Sequence, residues 1–71
     1  MRILFFGRLA DSFGRTVELD APAGSTIADL RALLALTDPL VRACVGETLV
    51  TDDYQVGVGQ ELEFWPPVSG G

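Results

Sequence analysis

The sequence lacks histidine altogether and contains one cysteine, Cys44. A single cysteine excludes an internal disulfide framework, and the usual zinc sites need more histidine and cysteine ligands than this chain offers. A catalytic cysteine also needs a nearby base, which is commonly histidine. Because Cys44 stands in the apolar stretch 41–45, and free cysteine behaves as a small hydrophobe, we predict a buried core thiol and no metal site.

Lysine is absent as well. Schiff-base and amine chemistry are therefore excluded, and copies of the domain cannot be joined to one another through a lysine side chain. The formal net charge of −5 disfavours nucleic acid and anionic membranes, since both would repel the chain. These absences favour a protein partner with a basic docking surface.

Long hydrophobic runs are also missing. No stretch approaches the roughly 20 apolar residues that a membrane span requires. The apolar run near the N-terminus, residues 3–6, is followed by Arg8 and Asp11, which end it too early for a signal peptide. We therefore expect a cytoplasmic protein.

The hydrophobic content is ample, at 48% of 71 residues, and it predicts one folded domain with a modest core. Residues 9–13 are typical of a short helical turn ended by Gly14. Apolar runs and turn residues predict strands over 2–6, 16–20, 40–45, 48–50 and 62–65. One amphipathic helix would link the second strand to a later one and pack on one face of the sheet. The predicted class is α+β with a mixed sheet.

That helix has a clear start. Thr26 is a favourable N-cap, and Asp29 three residues later completes a capping-box pattern. Asp38-Pro39 is predicted to end the element. Its apolar face, at i, i+3 and i+4 spacing, comprises Ile27, Leu30, Leu33 and Leu34.

The two faces of the predicted sheet differ in what covers them. The helix should cover the face that bears Ile3, Phe5, Val17, Leu62 and Phe64. The other face would expose Phe6, Leu49 and Trp65, and large apolar side chains on an open face are typical of interfaces. Partial burial of these three under loops is the alternative. The carboxylates Asp52, Asp53, Glu61 and Glu63 would steer a partner or simply be solvated.

The last strand runs into an unusual tail. Pro66 and Pro67 end the strand because proline supplies no N–H to the ladder, and their fixed φ favours an extended exit. Gly70 and Gly71 have no Cβ and fit a narrow channel. We predict a folded domain over 1–65 and a flexible tail over 66–71, whose reach is roughly 19 Å at about 3.1 Å per residue. The expected reactive atom is the C-terminal carbon of Gly71.

These segments resemble one family along the whole chain. The tail over 64–71, Phe-Trp-Pro-Pro-Val-Ser-Gly-Gly, is similar to that of the MoaD-like sulfur carriers, the small subunits of molybdopterin synthase. Residues 3–7 match the first strand of that family, 48–50 match a middle strand, and 58–62 match the approach to the last strand. The resemblance implies a β-grasp, or ubiquitin-like, fold.

The resemblance also implies a function. A partner adenylating enzyme would use ATP to activate Gly71, and a sulfurtransferase would convert it to a thiocarboxylate. The sulfur would then pass to a pterin precursor and build the dithiolene of the molybdenum cofactor. The chain itself would bind no cofactor and would be no enzyme, since the large subunit of a heterotetramer would supply the catalytic residues. The tail residues expected to thread that active site are Pro66, Pro67, Val68, Ser69 and Gly70.

Three other functions stay open on the sequence. A sulfur carrier for thiazole or cysteine biosynthesis would share the Gly-Gly chemistry. A ubiquitin-like modifier would be joined to lysines of target proteins. An interaction module would carry an inert tail.

Overall fold

A computed structural model of the chain describes residues 1–57 and 59–67. Within them the strands form one sheet in the order β2-β1-β5-β3-β4. β1 and β5 pair in parallel, whereas the β1–β2, β3–β5 and β3–β4 pairs are antiparallel. The elements are β1 (Arg2–Phe5), α1 (Leu9–Phe13), β2 (Thr16–Glu18), α2 (Ile27–Leu33), β3 (Arg42–Val45), β4 (Thr48–Val50) and β5 (Leu62–Trp65). The mixed sheet and α+β class are as predicted.

The start of α2 follows the predicted capping box. The Asp29 N–H donates to Thr26 Oγ1 (3.2 Å), and the Thr26 N–H donates to Asp29 Oδ2 (3.0 Å). Two N–H groups that the helix cannot satisfy are thereby paired, which is worth about 1 kcal/mol. The local sequence alone therefore fixes where α2 begins.

The predicted end of α2 is wrong. The helix stops at Leu33, before Asp38-Pro39, and Ala35 has a left-handed φ of 55°. That turn redirects the chain so that Leu36 enters the core, with 5% of its surface exposed, while Leu33 is 57% exposed. Leu33 is thus no part of the buried stripe, and Leu36 takes its place.

The core lies between α2 and one face of the sheet. Its largest fully buried side chains are Phe64, Ile3, Ile27, Leu30 and Leu62, each worth roughly 2 kcal/mol of transfer free energy. Val17 packs against this cluster. The face predicted to lie under the helix is therefore the covered one. No helix in the described part of the chain is long and apolar enough to cross a membrane.

Arg31 closes one end of this core. Its guanidinium donates to Asp52 Oδ1 at 2.9 Å and to the carbonyl oxygen of Val41. The guanidinium carbon also lies 5.5 Å from the centre of the Phe64 ring, within cation–π range. One side chain from α2 thus ties together the approach to β3, the turn after β4 and the core.

Candidate functional site

The sheet face opposite α2 carries a partly exposed set of side chains, which we call the open face. The pairing register places Leu4 beside Glu63, Glu63 beside Cys44, and Cys44 beside Leu49. Side chains two residues apart in a strand share a face, so Phe6 and Trp65 lie in the next row. The open face therefore includes Leu4, Phe6, Cys44, Leu49, Glu63 and Trp65, together with the exposed Arg42, which pairs with Trp65.

Phe6 and Trp65 stack on one another. Their ring centroids are 4.0 Å apart and the ring planes differ by 1°. The stack follows from the parallel pairing of β1 with β5, which continues past Phe5 through the Phe6 N–H donating to the Phe64 carbonyl (3.1 Å). Trp65 keeps 41% of its surface exposed, and its Nε1 donates to Glu63 Oε1 at 3.1 Å.

Leu49 completes the apolar part of the open face. It is 56% exposed and lies on β4, two strands from β5. Strands are spaced about 4.8 Å apart, so Leu49 stands about 10 Å across the sheet from β5. Of the three side chains predicted here, Leu49 and Trp65 are exposed, while Phe6 is half-buried and stacked on the Trp65 ring.

Cys44 is not the buried core thiol that the sequence predicts. Ala43 is the residue of this pair that enters the core, and Cys44 points to the open face, half-buried between Leu49 and Glu63. Burial raises the pKa of the thiol above its ordinary value, and the Glu63 carboxylate raises it further, although Arg42 opposes the shift. Burial and Glu63 thus favour the neutral, weakly nucleophilic form of the thiol.

The base of the tail lies against β1. Pro66 follows β5 directly and is half-buried, as is Pro67. A Cβ placed on Gly7 would lie 2.8 Å from Pro66 Cγ, so the proline ring packs on bare backbone. Val68, Ser69, Gly70 and Gly71, the remaining predicted tail residues, lie outside the described residues.

Charged groups border the open face at its far end. Arg2 donates to Glu18 Oε1 and to Glu61 Oε2, each at 3.3 Å. These hydrogen bonds and charges, with Glu18 the larger contributor, raise the pKa of Arg2. The group is exposed, so its pairs contribute little to stability. Glu61 is therefore paired with Arg2. Asp52 and Asp53 stand in the turn after β4, where Asp52 accepts a hydrogen bond from Arg31 and Asp53 accepts one from Thr51.

Sequence reasoning missed Cys44 as a member of the open face. The sequence did indicate the face of Cys44. Arg42 must stay solvated, and residues 42 and 44 of one strand share a face, so Cys44 belongs on the solvated face. Sequence reasoning also missed Gly7, which no pattern links to Pro66 until β1 and β5 are known to be parallel neighbours in register.

Comparison with known proteins decides the family. A family model described as the ThiS family matches residues 3–71. The chain belongs to the ThiS family. The molybdopterin synthase sulfur carrier subunit of Escherichia coli K12 is 32% identical over 80 aligned positions, covering 100% of this chain and 99% of that relative. The resemblance to MoaD-like sulfur carriers is confirmed.

Solved structures confirm the β-grasp fold. Small archaeal modifier protein 1 of H. volcanii superposes with a TM-score of 0.77 at 22% identity, covering 94% of this chain and 95% of that one. A putative molybdopterin converting factor subunit 1 from Pyrococcus furiosus gives 0.79 at 19%, with 94% and 95% covered. A complex of subunits 1 and 2 of the molybdopterin-converting factor from Helicobacter pylori gives 0.68 at 19%, with 99% and 96% covered. At these low identities, the likeness establishes the fold alone.

Proposed function

We propose that this protein is the sulfur carrier subunit of a molybdopterin synthase and works in the cytoplasm. The observation that carries the proposal is the match to the E. coli sulfur carrier subunit over the full length of both chains. The ThiS family match over residues 3–71, which includes the Gly-Gly tail, supports it. The absence of histidine and lysine from the sequence and the neutral Cys44 thiol leave few other reactive groups.

The reactive group is the terminal carboxylate of Gly71. An α-carboxyl has a pKa of about 3.5, so at neutral pH it is an anion and a poor electrophile. The carboxylate attacks the α-phosphorus of ATP, a C–O–P linkage forms, and pyrophosphate leaves. Sulfur at the oxidation level of hydrosulfide then attacks the acyl carbon. A C–S bond forms, AMP leaves with the electron pair of the C–O bond, and a thiocarboxylate and a proton remain.

Partner proteins supply everything else in this scheme. An adenylating enzyme binds the ATP, a sulfurtransferase with a thiol reductant delivers the sulfur at the hydrosulfide level, and the large subunit of the synthase binds the pterin precursor and holds the catalytic residues. This chain contributes the sulfur and the surface that positions it. It therefore holds no cofactor of its own.

The open face is the surface that we assign to these partners. Its stacked aromatic pair and Leu49 offer exposed apolar area beside the tail base, and aromatic side chains dominate interface energetics. The charges on and beside it are mixed, since Glu63 shares the face with the exposed Arg42 and Glu61 is paired with Arg2, so the apolar side chains carry the assignment. Partners that dock here lie next to Pro66, so the tail starts at the edge of the interface.

A two-step mass measurement tests the function. The chain is incubated with the adenylating enzyme, ATP and a sulfur donor, and its intact mass is measured. A gain equal to the difference between sulfur and oxygen is expected, and addition of the large subunit and pterin precursor should then return the original mass. Unchanged mass with a competent enzyme set would contradict the sulfur carrier assignment.

The same experiment separates the alternatives. A gain that the large subunit and pterin precursor do not reverse would indicate a carrier for another pathway, such as thiazole or cysteine biosynthesis. Products in which the chain is joined to lysines of other proteins would indicate a ubiquitin-like modifier. A tail that undergoes none of these reactions would leave an interaction module.

A further inference from the structure

Gly7 and Pro66 occupy equivalent positions at the ends of two parallel strands. The register pairs Phe5 with Phe64, so two residues further along Gly7 lies beside Pro66. A Cβ built on Gly7 would stand 2.8 Å from Pro66 Cγ and 3.5 Å from Pro66 Cδ. Carbon atoms in van der Waals contact are about 3.5–4.0 Å apart, so any side chain at position 7 would displace the proline ring.

We propose that Gly7 is a positioning residue for the tail. Having no side chain, it lets the Pro66 ring lie against the β1 end and thereby sets the direction in which the chain leaves the sheet. This inference rests on the proposed function, in which the tail must reach the active sites of partner enzymes. Gly7 itself takes no part in the chemistry.

The neighbours of Pro66 leave it little freedom to yield. Trp65 is held by the stack on Phe6 and by its pairing with Arg42 in β3. The Pro66 ring can move its Cγ only by changing its pucker, and its φ is fixed near −65°. The part of the shift that a change of pucker does not absorb is passed to the backbone at Pro66.

Pro67 also has a fixed φ, so a displaced Pro66 redirects the backbone at the point where the tail leaves the sheet. A misplacement of about 1 Å can cost a reaction 10²-fold in rate. We therefore expect a side chain at position 7 to impair the chemistry at Gly71 while the open face still docks.

Gly46 provides a matched control. It also has a left-handed backbone, with φ 63° against 57° at Gly7, so alanine meets similar backbone strain at both positions. Nothing in the described part of the chain lies within 4 Å of a Cβ at Gly46. Gly46 follows Val45, which pairs with Leu62 at the end of β5 away from Pro66. Only Gly7→Ala adds the collision with the tail base.

The test measures sulfur loading of the full-length chain by the adenylating enzyme with ATP and sulfide, at several carrier concentrations. Gly7→Ala should lower kcat at least about tenfold with KM little changed, because docking is intact and delivery is not. Gly46→Ala should leave both constants close to those of the unsubstituted chain. Equal kcat for Gly7→Ala and Gly46→Ala would overturn the proposal.

A double substitution identifies the contact. Pro66→Ala removes the Cγ and Cδ that a Cβ at position 7 would strike, so in that background Gly7→Ala should have no further effect on kcat beyond that of Gly46→Ala. An undiminished effect would show that Pro66 is not involved.

Should Gly7→Ala fail to fold, the single variant Pro66→Ala provides the test. Its kcat should fall severalfold while KM is maintained, and an unchanged kcat would contradict the proposal. Failure of the unsubstituted chain to gain sulfur would contradict the proposed function instead.

Discussion

The rings of Phe6 and Trp65 lie parallel, 4.0 Å apart, across the parallel pair formed by β1 and β5. Pro66 follows Trp65 directly and packs on Gly7, which follows Phe6. Two consecutive residues at the end of β1 therefore hold two consecutive residues at the end of β5. The proposed docking surface and the base of the tail form one structural unit, so a partner that binds the first also determines where the second begins.

Trp65→Lys should weaken binding to the large subunit by about 2 kcal/mol or more, because it replaces a central aromatic side chain by a flexible charge. The fold should survive, since Trp65 is 41% exposed. Titration calorimetry of the two purified subunits measures the effect. Leu33→Lys is the matched control, because Leu33 is 57% exposed on α2 and away from the open face. Equal affinities for the two variants would refute the assignment of this face.

Cys44 provides a chemical probe of the same face. Because burial and Glu63 raise the thiol pKa, less thiolate is present at any given pH than in an ordinary cysteine. The alkylation rate should therefore reach half of its maximum at a higher pH in the folded chain than in the chain unfolded in denaturant, where the thiol recovers its ordinary pKa. Iodoacetamide labelling followed by mass spectrometry gives the profile.

Binding of the large subunit should slow this alkylation further, since Cys44 lies between Leu49 and Glu63 on the open face. Labelling that proceeds at the same rate with and without saturating large subunit would place the interface elsewhere.

Arg31→Met should destabilise the protein by about 1–3 kcal/mol, because the Val41 carbonyl loses its charged donor and the polar group left behind is costly. Asp52→Asn removes only the negative charge that pairs with Arg31. Because the Asp52 side chain is 64% exposed, this change should cost less than about 1 kcal/mol. Urea unfolding of both variants makes the comparison. If both cost the same, the ion pair rather than the carbonyl contact explains the role of Arg31.

The elements with strong local signals were predictable from the sequence. Thr26 and Asp29 mark the start of α2 because a capping box involves only neighbouring residues. The last strand, with Leu62 and Phe64 inward, follows from simple alternation and from the prolines that end it. The open face was predictable in part. A single amphipathic helix covers only one face of the sheet, so Leu49 and Trp65 were expected to be exposed on the other.

The failures share a physical cause, which is dependence on residues distant in the chain. Leu33 matches the apolar period of α2, but the left-handed turn at Ala35 lets Leu36 fill the core in its place. Cys44 is the exception, because the charged Arg42 two residues earlier on the same strand indicates its face locally. The contact between Gly7 and Pro66 can be predicted only when the register of β1 and β5 is known. Paired residues of these strands, such as Ile3 and Leu62, are 59 positions apart in the sequence.

Deleting Gly71, or adding one residue after it, should abolish sulfur loading and leave the fold intact. The reason is that the terminal carboxylate reaches the α-phosphorus of ATP in the partner site only when the tail has its full length. Conversion of Gly71 to alanine should reduce loading, since the added methyl group must enter a channel that glycine fits. Unfolding curves of all three chains provide the control for stability.

The account depends most on where the sulfur is attached. The chain is loaded with the adenylating enzyme, ATP and a sulfur donor, then cleaved, and the masses of its fragments are measured. We predict that the added sulfur is found only in the C-terminal fragment and, on further fragmentation, only on Gly71. Sulfur found on the fragment that contains Cys44, with an unmodified C-terminal fragment, would contradict the account.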